Sequence, residues 1–182
     1  MELKFLDIHA GGEQYREELL RLYEASFPRM ERKPVSSLER TCAEGKMRIL
    51  AICADGAFAG LAILMSDGKA RLLDYFAIPP EKRDRGIGGM ALRALLEQFA
   101  DLPFIVEIER TDESAEDNEQ RLRRRAFYLR NGMESSGAFV WLFQVEYELL
   151  CANGSIRYAD YRGLLCHCMG NRMKPFLHQI EI

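Results

Sequence analysis

Leu73-Asp74-Tyr75-Phe76-Ala77-Ile78-Pro79-Pro80-Glu81-Lys82-Arg83-Asp84-Arg85-Gly86-Ile87-Gly88-Gly89 is the stretch that decides the fold of this chain. It opens as an apolar strand, is stopped by two prolines, crosses a charged loop and closes on glycines. A helix follows, with Met90, Leu92, Leu95, Leu96 and Phe99 as its apolar stripe. Glycines just ahead of a helix let the backbone turn tightly, so that several N–H groups point at one spot. The helix N-terminus adds partial positive charge there and favours an anion. Arg83 and Arg85 can pair with phosphate oxygens, and Lys82 is in range of a further one. A diphosphate suits the arrangement; a plain glycine-rich helix cap is the other reading.

Upstream, residues 2–8 predict a strand, and Tyr15, Leu19, Leu22, Tyr23 and Phe27 recur at helical spacing up to Pro28. The polar loop 28–34 leads to a short helix near 36–43. Three apolar stretches near 47–54, 57–66 and 70–78 are split by Asp55-Gly56 and Asp67-Gly68, which predict hairpins. Downstream, 103–109 predicts a strand and Asn118–Arg130 a basic helix ended by Asn131-Gly132. Two strands follow within 137–151, then a helix over 158–169. The element order implies a mixed α/β domain: a mostly antiparallel sheet of about seven strands flanked by helices, in one domain over residues 1–151, with 152–182 as a helical tail.

The chain has 182 residues, enough for one domain with a real core. Its net charge of −3 gives no broad basic field, so nucleic acid is not an expected partner. No apolar run reaches the roughly 18 residues that span a bilayer, and the N-terminus lacks the apolar core of a secretory signal. Five irregularly spaced cysteines suit free thiols, so a cytoplasmic setting is expected.

Gly86-x-Gly88-x-x-Ala91, with Glu107 further on, also satisfies a dinucleotide fingerprint. However, seven residues separate Ile78 from Gly86, and hairpins rather than helical crossovers precede the loop. The absence of Gly-Lys-Ser/Thr excludes a Walker A loop. Arg83, Gly86 and Gly88 match the Arg/Gln-x-x-Gly-x-Gly/Ala motif of the GCN5-related N-acetyltransferase (GNAT) superfamily, and Leu73–Pro79 looks like its fourth strand. Ala126-Phe127-Tyr128-Leu129-Arg130-Asn131-Gly132-Met133 resembles its Phe-Tyr-x-x-x-Gly-Phe motif, with Met133 in place of the last Phe. The chain thus resembles this superfamily.

The resemblance implies a GNAT-like sheet splayed between strands four and five, where the arm of acetyl-CoA lies. It implies that Phe76, Ala77 and Ile78 meet the pantetheine through their backbone. Arg83, Asp84, Arg85, Gly86, Ile87, Gly88 and Gly89 would hold the diphosphate. It further implies direct attack of a primary amine, on a small molecule or a peptide, upon the thioester, with no acyl-enzyme. Tyr128 would donate to the departing thiolate, or else be ordinary core. An ammonium must first lose a proton. Asp74 shares a face with Phe76, and Glu107 shares one with Glu109, so Glu107 and Asp74 are the candidate bases. The glutamates could equally pair with Arg121 or Arg124. A non-catalytic acyl-CoA-binding sensor on the same fold, or an NAD(P)-binding enzyme, is the alternative.

Arginines 121, 123, 124, 125 and 130 read as a solvated helix face without the interleaved aromatics of a nucleic-acid platform. Cys166-His167-Cys168 lacks zinc-site spacing, and no metal is expected. Trp141, Phe139 and Phe143 alternate as core or a homodimer surface. Tyr23, Phe27 and Met30 lie where the resemblance puts an acceptor wall, or form ordinary helix–sheet packing.

Overall fold

The computed structural model describes residues 1–83 and 85–181. Asp84, expected in the phosphate loop, lies outside the described residues. The eight strands follow the order β1-β2-β3-β4-β5-β7-β6-β8 in a mixed, mostly antiparallel sheet flanked by helices, with one parallel pair, β4–β5. The chain forms two compact units, residues 1–65 with 73–94 and residues 66–72 with 95–182.

In the first unit β1 (Leu3–Asp7) pairs antiparallel with β2 (Met47–Ala54), from Leu3 opposite Ala54 to Asp7 opposite Leu50. The β2 strand pairs antiparallel in turn with β3 (Ala57–Ser66), through the Asp55-Gly56 turn whose φ values are 48° and 81°. Buried residues run almost unbroken along β2 and β3 rather than alternating, the pattern of strands covered on both faces. Helix α1 (Arg16–Ser26) buries Leu19, Leu22 and Tyr23, and α2 (Val35–Ala43) buries Leu38. This unit also holds β4 (Arg71–Ala77) from Leu73 onward and the start of α3 (Ile87–Gln98).

In the second unit the parallel ladder of β4 with β5 (Phe104–Glu109) is short, joining Arg71 to Phe104 and Leu72 to Ile105. Strand β5 pairs antiparallel with β7 (Val145–Ala152), and β7 with β6 (Glu134–Leu142), so β7 lies inside β6 in the strand order. Helix α4 (Asn118–Arg130) ends where expected, with Gly132 at φ 101° and the buried Asn131 side chain donating to the Phe127 carbonyl at 2.8 Å. Helix α5 (Tyr158–Met169) buries Tyr161, Leu164, Leu165 and Cys168, a stripe at helical spacing.

Two features differ from the sequence reading. The tail expected to be helical also supplies a strand, β8 (Leu177–Ile180), which pairs with β6 and brings the count to eight. The β6–β7 hairpin turns on Phe143 and Gln144, both left-handed at φ 48° and 69°, with no glycine to mark it. Among the described residues no helix is long and apolar enough to cross a membrane.

Candidate active site

The loop expected to hold a diphosphate belongs to the first unit. Pro80–Lys82 form a single 3-10 turn, in which the Arg83 amide donates to the Pro80 carbonyl at 3.2 Å. The chain then needs a left-handed residue, and Gly86 takes φ 77° with open space where a side chain would project. The first bond into the helix runs from the Met90 amide to the Gly86 carbonyl at 3.0 Å. Among the described residues no group accepts from the amides of Arg85, Gly86, Ile87, Gly88 or Gly89. Five donors stand at the start of this 12-residue helix, a geometry that suits an anion; of the seven positions expected there, the amide of Arg83 is taken and Asp84 lies outside the described residues.

The basic side chains divide their work. Arg83 Nε donates to the Ile78 carbonyl at 2.9 Å, which ties the end of β4 to the loop and leaves the rest of its exposed guanidinium for an anion. Lys82 Nζ bonds the Phe58 carbonyl, so it braces β3 rather than reaching for the further phosphate expected of it. Arg85 is exposed. Ala77 and Ile78 are buried, Phe76 partly so. The Ile78 carbonyl keeps one lone pair beyond the one Arg83 uses, so it can still accept from an amide-bearing chain.

Asp74 is engaged. Both its carboxylate oxygens lie 2.8 Å from Lys33 Nζ, and its side chain is only 8% exposed. Tyr75 completes the clamp: its hydroxyl donates to the Glu31 carbonyl at 2.7 Å and accepts from the Lys33 amide at 3.2 Å. Tyr23 donates to the Lys33 carbonyl at 3.1 Å, and burial, then its bond with Tyr75, pushes that phenol far above its ordinary value. The rings of Tyr23 and Phe27 meet Tyr75 edge-on at 4.9 and 4.8 Å. Loop 28–34 is thereby fastened to β4, with Met30 at its exposed tip. Tyr23 and Phe27 serve that packing, and Asp74 must break an ion pair before it can accept a proton.

The other two predicted catalytic residues belong to the second unit. Tyr128 is 9% exposed, its ring edge-on to Phe127 at 5.2 Å. Burial pushes its phenol up to about 12, against a weaker downward pull from the Arg124 charge. No described residue accepts from its hydroxyl. Protonating a thiolate near 8.5 from such a phenol is uphill by about 5 kcal/mol, against about 2 for an unperturbed tyrosine. Hydrogen-bond donation is the cheaper role. Glu107 accepts a 2.5 Å bond from the hydroxyl of Tyr161, a residue the sequence reading passed over.

The basic helix face is partly a set of anchors. Arg121 NH2 lies 2.9 Å from Glu109, and its Nε is 2.9 Å from Asp117. Arg125 grips Glu148 through two bonds, at 2.7 and 3.1 Å. Glu148 is 3% exposed; burial alone would raise its carboxyl, but bonds from Arg125 and Ser135 outweigh this and hold it below its ordinary value. The signal for this pair was present: a glutamate inside the apolar run of β7 requires a partner. Arg123, Arg124 and Arg130 are exposed. No group of three or more His, Cys, Asp or Glu gathers among the described residues to hold a metal ion.

A helix start whose amides meet no acceptor among the described residues, reached from a strand of a mixed sheet, is a geometry that suits a phosphorylated ligand. The chain belongs to the acetyltransferase (GNAT) family, whose model matches residues 16–133. Several solved structures share the fold. A putative GNAT acetyltransferase from Bacteroides thetaiotaomicron is 20% identical, with a TM-score of 0.72 over 95% of this chain and 98% of its own. An aminoglycoside 6'-N-acetyltransferase from Enterococcus faecium is 12% identical, with a TM-score of 0.60 over 84% and 96%. A GNAT acetyltransferase from Elizabethkingia anophelis, solved with acetyl-CoA bound, is 11% identical, with a TM-score of 0.56 over 82% and 97%. No curated protein matches the sequence at a significant level.

Proposed function

We propose that this protein is an N-acetyltransferase that moves the acetyl group of acetyl-CoA directly onto a primary amine. The observation that carries the reading is the row of five amides at Arg85–Gly89, around the left-handed Gly86, that have no acceptor among the described residues. These donors fit a diphosphate, and acetyl-CoA bound there would supply the activated thioester. The backbone at Phe76–Ile78 bonds the amides of its arm. The amine nitrogen forms the new bond to the acetyl carbon while the carbon–sulfur bond breaks. Glu107 takes the proton that the ammonium loses before attack, and Tyr128 hydrogen-bonds the departing thiolate; the second proton, shed by the nitrogen as the carbon–sulfur bond breaks, passes through solvent to that thiolate. Asp74 acts on loop 28–34 through Lys33 instead of serving as the base.

A second reading, a non-catalytic acyl-CoA-binding protein, gains from one observation: both candidate bases are already hydrogen-bonded, Asp74 to Lys33 and Glu107 to Tyr161. Calorimetry with acetyl-CoA and with NADH, followed by turnover on spermidine, kanamycin, glycinamide, an alanyl peptide and a lysyl peptide, tests both. Binding of acetyl-CoA with an acetylated product by mass spectrometry is the expected result. Binding without any product supports the second reading. Binding of NADH alone overturns both.

A further inference from the structure

Helix α5 lies outside the family-matched segment 16–133, yet Tyr161 on it is fully buried and reaches Glu107, 54 residues away in sequence. A tyrosine used only for packing needs any acceptor for its hydroxyl. This one meets a carboxylate at 2.5 Å, the length of a charge-assisted bond. We infer that Tyr161 is a positioning residue for Glu107: it fixes the carboxylate's rotamer and favours its ionised, proton-accepting form. The inference rests on the proposed role of Glu107 as the base.

Tyr161 is a neutral donor to Glu107, with charged side chains on the neighbouring elements. On β5, Glu109 shares the face of Glu107 and is held by Arg121, which also holds Asp117. On β7, Leu149 stands opposite Glu107, flanked on that face by Tyr147 and Cys151. Glu148 is on the other face with Arg125 of α4. On α5, Arg157 and Asp160 pair with each other at 2.9 Å, His167 is exposed, and Arg162 has its Nε sealed without a partner.

Carbon-NMR titration of the glutamate carboxyls, with Glu107 assigned by its loss in Glu107→Gln, tests this in the full chain. Tyr161→Phe keeps the ring and removes the donor, so the Glu107 midpoint is expected to rise by about one pH unit. The acid limb of kcat/KM, on whichever panel amine turns over fastest, should rise with it while the KM for acetyl-CoA stays put. An unshifted midpoint overturns the positioning role but leaves Glu107 as base if Glu107→Gln is inactive. Full turnover by Glu107→Gln removes the base and the inference together. Should Tyr161→Phe misfold, the wild-type Tyr161 hydroxyl proton provides the second measurement. A far-downfield signal that vanishes in Glu107→Gln supports the bond, and one that persists counts against it.

Discussion

Gly60 links the core to the proposed acetyl-CoA site, and Gly60→Ala tests that link. A Cβ at this position would stand 2.5 Å from the Ala77 carbonyl oxygen and 2.7 Å from Ile78 Cδ1. The Ile78 methyl can swing away; the carbonyl is backbone and cannot. Restoring an ordinary contact requires Ala77 to retreat by roughly 0.7–0.9 Å. Overpacking of this kind costs about 2–3 kcal/mol, or about 5–10 °C in Tm for a chain of this length. The retreat passes straight to the site, because the next carbonyl, Ile78, holds Arg83 Nε at 2.9 Å. Acetyl-CoA affinity should therefore fall about tenfold, equivalent to about 1.4 kcal/mol of misplaced donors. Urea unfolding and calorimetry measure the two effects. Gly163→Ala is the control: it lies exposed in α5 with nothing within 4 Å, so it should gain about 0.5–1 kcal/mol and leave binding alone. If Gly60→Ala unfolds within about 0.5 kcal/mol of wild type and binds acetyl-CoA equally well, Gly60 is not coupled to the site through Ala77.

Arg125→Ala should cost about 3 kcal/mol, since it strands the buried Glu148. In wild type the pair's contribution is present above the ordinary glutamate range and is lost as pH falls through the depressed folded value. In the variant burial, the largest influence on Glu148, is opposed only by Ser135 and raises the carboxyl, so the deficit in urea unfolding should grow as pH rises from about 4 towards neutrality; a pH-independent deficit would contradict this. A double-mutant cycle of Lys33→Met and Asp74→Asn should show coupling of about 1–3 kcal/mol in unfolding, and zero coupling would deny the clamp. Tyr128→Phe should slow single-turnover acetylation by about 10- to 100-fold, the worth of one hydrogen bond to a charge. With its phenol at about 12, Tyr128 contributes no basic limb below about pH 10; a loss near four orders of magnitude would instead mean that it delivers the proton.

Much of the fold was legible because its signals are local. Asp55-Gly56 predicts a hairpin since both residues tolerate positive φ, and both adopt it. Asn131-Gly132 marks the end of α4 because Gly132 takes the left-handed conformation that stops a helix. Where local chemistry was silent, the reading fell short. Phe143-Gln144 turns a hairpin with neither glycine nor asparagine, and β8 is four residues whose strand character comes from the β6 edge beside it. At the site, the glycines around 83–89 signalled a tight turn into a helix, and Gly86 takes positive φ there, but nothing in Lys82 itself revealed that it would brace Phe58.

The sequence by itself determined what depends on residues within a turn or two of each other: hairpins, helix ends, the left-handed Gly86 and the amides it frees. Tertiary structure alone decided which charges are available for chemistry. Asp74 meets Lys33 across 41 residues and Glu107 meets Tyr161 across 54, because strand order and helix packing bring them together. Backbone preference is a property of a residue and its neighbours, whereas the partner of a side chain is set by whatever the folded chain places within 3 Å of it.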